Sequence, residues 1–348
     1  MIRMAISGTG AIAERAHIPA LQSVAGVEIV ALQSRTAQKA QRVAAGLWRG
    51  GATPPAIYTD FAEMLGRERP DAVGIFTPNY LHCEYALQAL AFGAHVLCEK
   101  PMAPTAQAAR GMVDAAARAS RVLMVTMQRR YGGFEAAVQR ALRTGAIGKP
   151  NFIRARLSHG GPEGWAPGQG WFVDPEQAGG GAALDLGVHV VDLARWYLGE
   201  IASVCGFAAT ITKPIEVDDT AVMLLRFRSG ALGVVEASWA SQPGLSGIEI
   251  YASAGRVMMG YPRNELSITC ADGTPLPGYT RDELAAQFDA RDPLAPFRAL
   301  AQNFVDAIEG RAAPSPDGRD GLRAVEVVDA CYRSSRSGQR VDLPLEGS

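Results

Sequence analysis

Over the first 125 or so residues, short apolar runs alternate with longer Ala-rich segments, the pattern of strand–helix units feeding a parallel sheet. Ile2–Ser7, Val27–Gln33, Ala72–Phe76, His95–Cys98 and Val122–Met127 read as strands. Helices are expected near 12–24, 36–46, 81–92 and 105–119, with Thr105 as an N-cap and Gly93 as a C-cap. After Arg129 the texture changes to a helix over Phe134–Arg143, a strand over Phe152–Leu157 and a loop over 160–181 rich in Gly, Pro and Trp. From Ile201 onward, strand-like runs are joined by turn signals at Arg228-Ser229-Gly230, Ser253-Ala254-Gly255 and Ala271-Asp272-Gly273, which implies largely antiparallel pairing. Phe297–Ile308 and Gly321–Ser334 carry helical apolar spacing and are expected to bury against that second sheet. The fold class is therefore α/β. A doubly wound parallel sheet is expected over residues 1–128, and a C-terminal α/β domain built on a large, mostly antiparallel sheet over 129–348.

A length of 348 residues suits two domains, and 34 Lys plus Arg against 35 Asp plus Glu leave a formal net charge of -1. Such a balance offers no basic field for nucleic acid or an anionic membrane, which makes small molecules the expected partners. Cys83, Cys98, Cys205, Cys270 and Cys331 are odd in number and widely spaced, as in a reduced cytoplasmic thiol set. Glycines at 8 and 10 interrupt the apolar opening at once, so export is not expected. No stretch approaches the roughly 20 apolar residues that span a bilayer. The histidines show no recognisable metal-ligand spacing, and no metal is expected.

Gly8-Thr9-Gly10-Ala11-Ile12-Ala13 follows the first strand and opens the first helix, with Ala13 in the third place of G-x-G-x-x-G/A. Gly8 permits a tight turn, Gly10 lets the backbone approach a pyrophosphate, and Ala13 lets the helix pack closely. That is the dinucleotide turn of a Rossmann domain. NAD-selective sites end the second strand with an acidic residue that binds the ribose hydroxyls, but this stretch reads Leu32-Gln33-Ser34-Arg35-Thr36. Ser34, Arg35 and Lys39 suit a 2′-phosphate instead, so NADP is expected over NAD. The same residues also fit solvated loop positions beside neutral contacts to NAD.

Glu99-Lys100-Pro101 closes the strand His95–Cys98, and doubly wound folds bind ligands at such strand ends. Alone, the tripeptide also reads as a solvated ion pair. Downstream, Gly179-Gly180-Gly181 leads into a helix that runs to Leu198 and carries Asp185 and His189 four apart on one face, with Asp192 and Trp196 on roughly the same stripe. A carboxylate and an imidazole so spaced suit proton transfer, although an isolated D-x-x-x-H also fits a core histidine bonded to a neighbour. Trp165, Trp171, Phe172 and Trp239 offer apolar faces for a sugar ring, and each also fits a core position.

Taken together, Gly8-x-Gly10-x-x-Ala13, Thr77-Pro78-Asn79 with His82, Glu99-Lys100-Pro101, and the glycine run with Asp185-x-x-x-His189 resemble the Gfo/Idh/MocA family over nearly the whole chain. The resemblance implies an NAD(P)-dependent oxidoreductase that moves hydride between nicotinamide and a carbinol carbon of a sugar, cyclitol or related polyol. By that resemblance Lys100, Asp185 and His189 form the catalytic group, drawn from both domains. Thr77, Pro78, Asn79, His82, Glu99, Lys100 and Gln128 lie along the cofactor with Gly8, Thr9, Gly10, Ala11 and Ile12, while Trp171 joins the catalytic three at the substrate. Several relatives carry Trp-Arg where this chain has Trp171-Phe172, so a charge is missing there. The family also implies a homodimer or homotetramer formed through the C-terminal sheet. Two other readings share these motifs: a glycosidase that borrows the cofactor for oxidation, elimination and reduction, and a nucleotide-sensing regulator without turnover.

Overall fold

The computed structural model describes residues 1–48, 53–164, 166, 168, 170–260, 265–280, 282–284 and 292–345. The chain divides into two compact units, Met1–Gln128 with Leu294–Leu322, and Arg129–Pro293 with Arg323–Ser348.

In the first unit, β1 (Ile2–Ser7), β2 (Val27–Gln33), β3 (Ala56–Tyr58), β4 (Ala72–Ile75), β5 (His95–Cys98) and β6 (Leu123–Val125) form one sheet in the order β3-β2-β1-β4-β5-β6. Every pair is parallel. The central strands are apolar on both faces because helices cover both, and β4 and β6 are buried throughout. Strand order reverses between β1 and β4, so the chain ends of those strands open a crevice between their connections. The sequence reading did not anticipate β3 or the helix Phe61–Glu68. The strand is short and half-exposed at the sheet edge, but the helix has a readable start: Asp60 caps it by accepting the Glu63 N–H at 2.6 Å. Thr105 caps the helix Ala106–Ala119 as expected, accepting the Ala108 N–H at 3.2 Å.

In the second unit, β7 (Pro150–Ser158), β8 (Ile201–Ala209), β9 (Thr220–Phe227), β10 (Leu232–Ser238), β11 (Leu245–Ala252), β12 (Gly255–Met259), β13 (Leu266–Cys270) and β14 (Val341–Asp342) form a sheet in the order β13-β12-β11-β7-β10-β9-β8-β14. Its pairs are antiparallel except β7 with β10. Strict alternation along β9 and β10 buries one face, while the other carries exposed Phe207, Val222, Leu224, Leu232 and Tyr251. The helix Val188–Leu198 packs on the buried face against β7 and β10.

One C-terminal helix departs from expectation, and a second does so only at its start. The helix Ala295–Ile308, expected on the second sheet, packs against the helix Ile18–Gln22 of the first unit. The following segment continues along the first sheet's edge, where Val125 N–H donates to the Pro316 carbonyl at 3.3 Å and Met124 bridges Asp317. The helix Gly318–Ser337 begins there, with Gly321 against Val125 and Met102, whereas its later turns meet the second sheet through Ser334 Oγ, which accepts the Gly206 N–H at 3.0 Å.

A buried ion pair anchors the start of the second unit. Arg130 donates from Nε and Nη2 to Asp192 at 2.8 and 2.5 Å, and its guanidinium lies 5.7 Å from the Trp196 ring centre. Both partners are almost wholly out of water, at 6% and 1% side-chain exposure, so each depends on the other for its charge.

Candidate active site

The first unit brings its expected residues to the carboxyl ends of parallel strands. Gly8 follows β1, Ser34 follows β2, Thr77 follows β4, Glu99 and Lys100 follow β5, and Gln128 follows β6. Gly8 has φ +95°, and a Cβ there would overlap the Phe76 carbonyl, so the turn admits glycine alone. A Cβ on Gly10 would meet nothing within 4 Å, which leaves its backbone open to a ligand. Thr9 is buried, Ala11 half-buried and Ile12 42% exposed at the start of the helical run. That run opens with a wider π turn, Ala13–His17, before the α-helix Ile18–Gln22.

Side chains at the end of β2 face inward. Ser7 Oγ donates to Gln33 Oε1 at 2.7 Å, and Gln33 Nε2 donates to the Thr59 carbonyl at 3.0 Å. Thr9 Oγ1 donates to Ser34 Oγ at 2.9 Å, so the Ser34 hydroxyl shapes the glycine turn from within. Arg35 and Lys39 are exposed.

Two residues expected along the cofactor also tie the protein together internally. His82 is 1% exposed, and its Nδ1 and Nε2 each lie 2.8 Å from a carbonyl, of Pro101 and of Thr77. The ring thus stitches the loop after β4 to the loop after β5. Burial lowers its proton affinity, and the two carbonyls act in the opposite direction. Glu99, 8% exposed, accepts from His17 Nε2 at 2.6 Å, from Thr126 Oγ1 at 2.7 Å and from the Lys100 backbone N–H at 3.0 Å. Lys100 itself is half-buried at the strand end, Thr77 and Pro78 are half-buried, and Asn79 is 7% exposed.

In the second unit, the π turn Ala183–Gly187 runs directly into the helix Val188–Leu198 and places Asp185 and His189 on successive turns, each 7% exposed. The glycine run ahead of them is clamped by Asp218, which accepts the N–H groups of Gly181 and Ala183 at 2.8 and 2.7 Å and the Tyr332 hydroxyl at 2.7 Å. A Cβ at Gly181 would overlap the Asp218 carbonyl. Burial pushes the Asp218 carboxyl up, against the pull of these donors. Trp239, expected as a face for a sugar ring, is 1% exposed, and its indole N–H donates to Asp185 Oδ2 at 3.2 Å. Sequence reading missed both roles. A lone Trp and a lone Asp carry no local signal for partners 54 and 37 residues away. Trp171 and Phe172 stack on each other at 3.7 Å, both half-buried, and Trp165 lies outside the described residues. Among the described residues, no three His, Cys, Asp or Glu side chains are grouped to hold a metal ion, and no helix is long and apolar enough to cross a membrane.

Residues 2–127 match the model of the oxidoreductase family with an NAD-binding Rossmann fold, and residues 136–258 match the GFO/IDH/MocA C-terminal domain. The chain is 30% identical to 1,5-anhydro-D-fructose reductase of Ensifer adhaerens, an alignment that covers 99% of both proteins. The chain belongs to the Gfo/Idh/MocA family. Inositol 2-dehydrogenase 3 of Saccharopolyspora erythraea is also 30% identical, over 99% of this chain and 96% of the relative. Among solved structures, the WlbA dehydrogenase of Bordetella pertussis in complex with NADH and UDP-GlcNAcA superimposes with a TM-score of 0.89 at 28% identity, covering 99% of this chain and 98% of that one.

The residues of this Gfo/Idh/MocA chain fit a nicotinamide dinucleotide: the glycine-only turn at Gly8, the open backbone at Gly10 and the strand order reversal beside them are the features a pyrophosphate needs. Next to them, the Glu99 carboxyl is held below its ordinary 4.5. Burial alone would raise it, but the bond from His17 and that ring's charge, with smaller contributions from Lys100 and Thr126, outweigh burial. A carboxyl depressed in the folded chain adds stability above its unfolded value and loses it as pH falls through the folded one. Urea midpoints of the wild type and Glu99→Gln should converge as pH falls below about 5. A gap that holds flat to pH 3 or widens would contradict this account of Glu99.

Proposed function

We propose that this protein is an NAD(P)-dependent dehydrogenase or reductase that acts on a carbinol carbon of a sugar, cyclitol or related polyol. The observation that carries the reading is the convergence of the family's motifs at strand ends of the first sheet, with Gly8, Thr77, Lys100 and Gln128 closing β1, β4, β5 and β6. The family relatives are named for reduction or oxidation of such substrates, which supports the same class here.

When bound, the nicotinamide ring supplies a hydride acceptor or donor. Lys100, Asp185 and His189 are its catalytic group in this reading. As the carbinol C–H leaves as hydride, His189 takes the hydroxyl proton, and in the reducing direction it returns that proton. Lys100 donates a hydrogen bond to the same oxygen and stabilises the negative charge developing there. Asp185, steadied by the Trp239 indole, fixes the hydroxyl and the imidazole. Gly8, Thr9, Gly10, Ala11 and Ile12 hold the pyrophosphate side, Thr77, Pro78, Asn79 and Gln128 line the cofactor, and Trp171 contributes to the sugar side. Turnover should be screened with myo-inositol, 1,5-anhydro-D-fructose and other sugars in both directions by nicotinamide absorbance. Lys100→Ala should lower kcat on a substrate so found by about 10²-fold or more while leaving NAD(P)H affinity within about threefold. Unchanged turnover in Lys100→Ala would remove Lys100 from the catalytic group, and sugar release without net cofactor change would favour the glycosidase chemistry.

NADP is the favoured cofactor. No carboxylate ends β2, the Gln33 carboxamide is committed to Ser7 and Thr59, and Arg35 and Lys39 are exposed cations after β2. The NADH held by the Bordetella pertussis relative weighs on the other side. Fluorescence titration should give NADPH an affinity about tenfold above NADH, with the difference lost in Arg35→Ala. Tighter binding of NADH by the wild type is the opposing result.

The exposed face of the second sheet, with Phe207, Val222, Leu224 and Leu232 beside the ion pairs Arg154–Glu236 and Arg156–Glu249, is the contact of a homo-oligomer. Light scattering should show a dimer or tetramer for the wild type and a smaller particle for Leu224→Glu. A wild-type monomer at micromolar concentration would rule the contact out.

A further inference from the structure

We propose that His17 is a positioning residue for Lys100, acting through the Glu99 carboxylate. The inference rests on the reading of Lys100 as the donor to the reacting hydroxyl. His17 is 2% exposed, at the last position of the π turn Ala13–His17. Its ring is fixed on two sides. Phe76 stacks on it with centroids 4.1 Å apart and planes 11° apart, and Phe297 meets it edge-on at 5.2 Å. Phe76 also carries the carbonyl against which Gly8 turns, so the imidazole is braced on the wall of the dinucleotide turn.

The two oxygens of Glu99 have separate partners. Oε1 accepts from His17 Nε2 at 2.6 Å and from Thr126 Oγ1 at 2.7 Å, whereas Oε2 accepts the Lys100 backbone N–H at 3.0 Å. An ionised carboxylate only accepts, so Nε2 carries the proton in this contact. A carboxylate bonded to the next residue's own N–H is loosely held unless its rotamer is fixed from outside. His17 and Thr126 supply that fixing, from the first helical run and from the end of β6. Packing alone does not require it, because an apolar pair of similar volume fills such space at no greater cost than a buried ionic one. The polar pair directs its geometry at one main-chain atom, that of Lys100.

The test begins with the chemistry of the lysine itself. Pulse acetylation by acetic anhydride, quantified by mass spectrometry on the intact folded chain, reads the Lys100 rate against exposed Lys149 as the internal reference. His17→Phe keeps a ring against Phe76 but has no N–H. It should change the Lys100 rate by about threefold or more relative to Lys149, and His17→Gln, whose amide reaches nearly as far as Nε2, should bring it back. Thr126→Val, which removes the second donor from the same oxygen, should shift the rate in the same direction to a smaller extent and stands in if His17→Phe does not fold. A Lys100 rate unchanged in these variants, or one that moves only in step with Lys149, overturns the proposal. On a substrate found by the screen, His17→Phe should cost about tenfold in kcat in the wild-type background and almost nothing on top of Lys100→Ala. Equal losses in both backgrounds mark His17 as merely structural and also overturn it. Retained turnover in Lys100→Ala alone would strike the catalytic reading of Lys100, whereas the labelling result judges the coupling by itself.

Discussion

An ionised carboxylate withdrawn from water must be surrounded by donors, and that requirement organises both units of this chain. Glu99 gathers a histidine, a threonine hydroxyl and a main-chain N–H. Asp218 gathers two main-chain N–H groups and a tyrosine hydroxyl, and Asp192 takes a guanidinium edge-on. Apart from the neighbouring Lys100 N–H, the donors come from segments distant in sequence, so the carboxylate acts as a knot that separate elements must reach together. Such knots stabilise little in net terms, because desolvation offsets most of the attraction. Their effect is on position: Glu99 fixes the main chain of Lys100, and Asp218 fixes the glycine run from which Asp185 and His189 project.

The periodicities that separate strands from helices were plain in the sequence. β1, β2 and β5 agree with the expected ranges residue for residue, because each is an apolar run bounded by glycine or a charged turn. β3 escaped notice because three half-exposed residues at a sheet edge carry no apolar run, and their pairing is supplied by β2. The apolar spacing of Ala295–Ile308 marks a helix but does not identify its neighbour. Its apolar stripe says that something is covered, not what, and only the fold reveals Phe297 against His17.

The candidate site divides in the same way. Local motifs such as the glycine turn and Glu99-Lys100-Pro101 can be read because their residues are adjacent. The internal partners of His82, Glu99 and Trp239 are not legible in the same way: two carbonyls, a histidine with a threonine, and Asp185. The π turns at Ala13–His17 and Ala183–Gly187 were equally invisible, since a widened turn leaves the pattern of apolar residues nearly unchanged. Both occur where a helical run begins beside a glycine-bearing segment, and each carries a residue of interest, His17 in one and Asp185 in the other.

The chain crosses between its two units three times, at residues 128, 293 and 322. The first unit is therefore discontinuous: the edge of β6 and the second side of the His17 ring are finished by a segment translated some 170 residues after Gln128. A ribosome that has delivered every strand of the parallel sheet has not yet delivered what closes it. The usual vectorial order, in which an N-terminal domain completes itself before its successor emerges, is thus unavailable here. For the same reason the cofactor half of this protein is not an excisable module: a break after Gln128 would yield the dinucleotide turn without the aromatic edge and edge segment that complete its architecture.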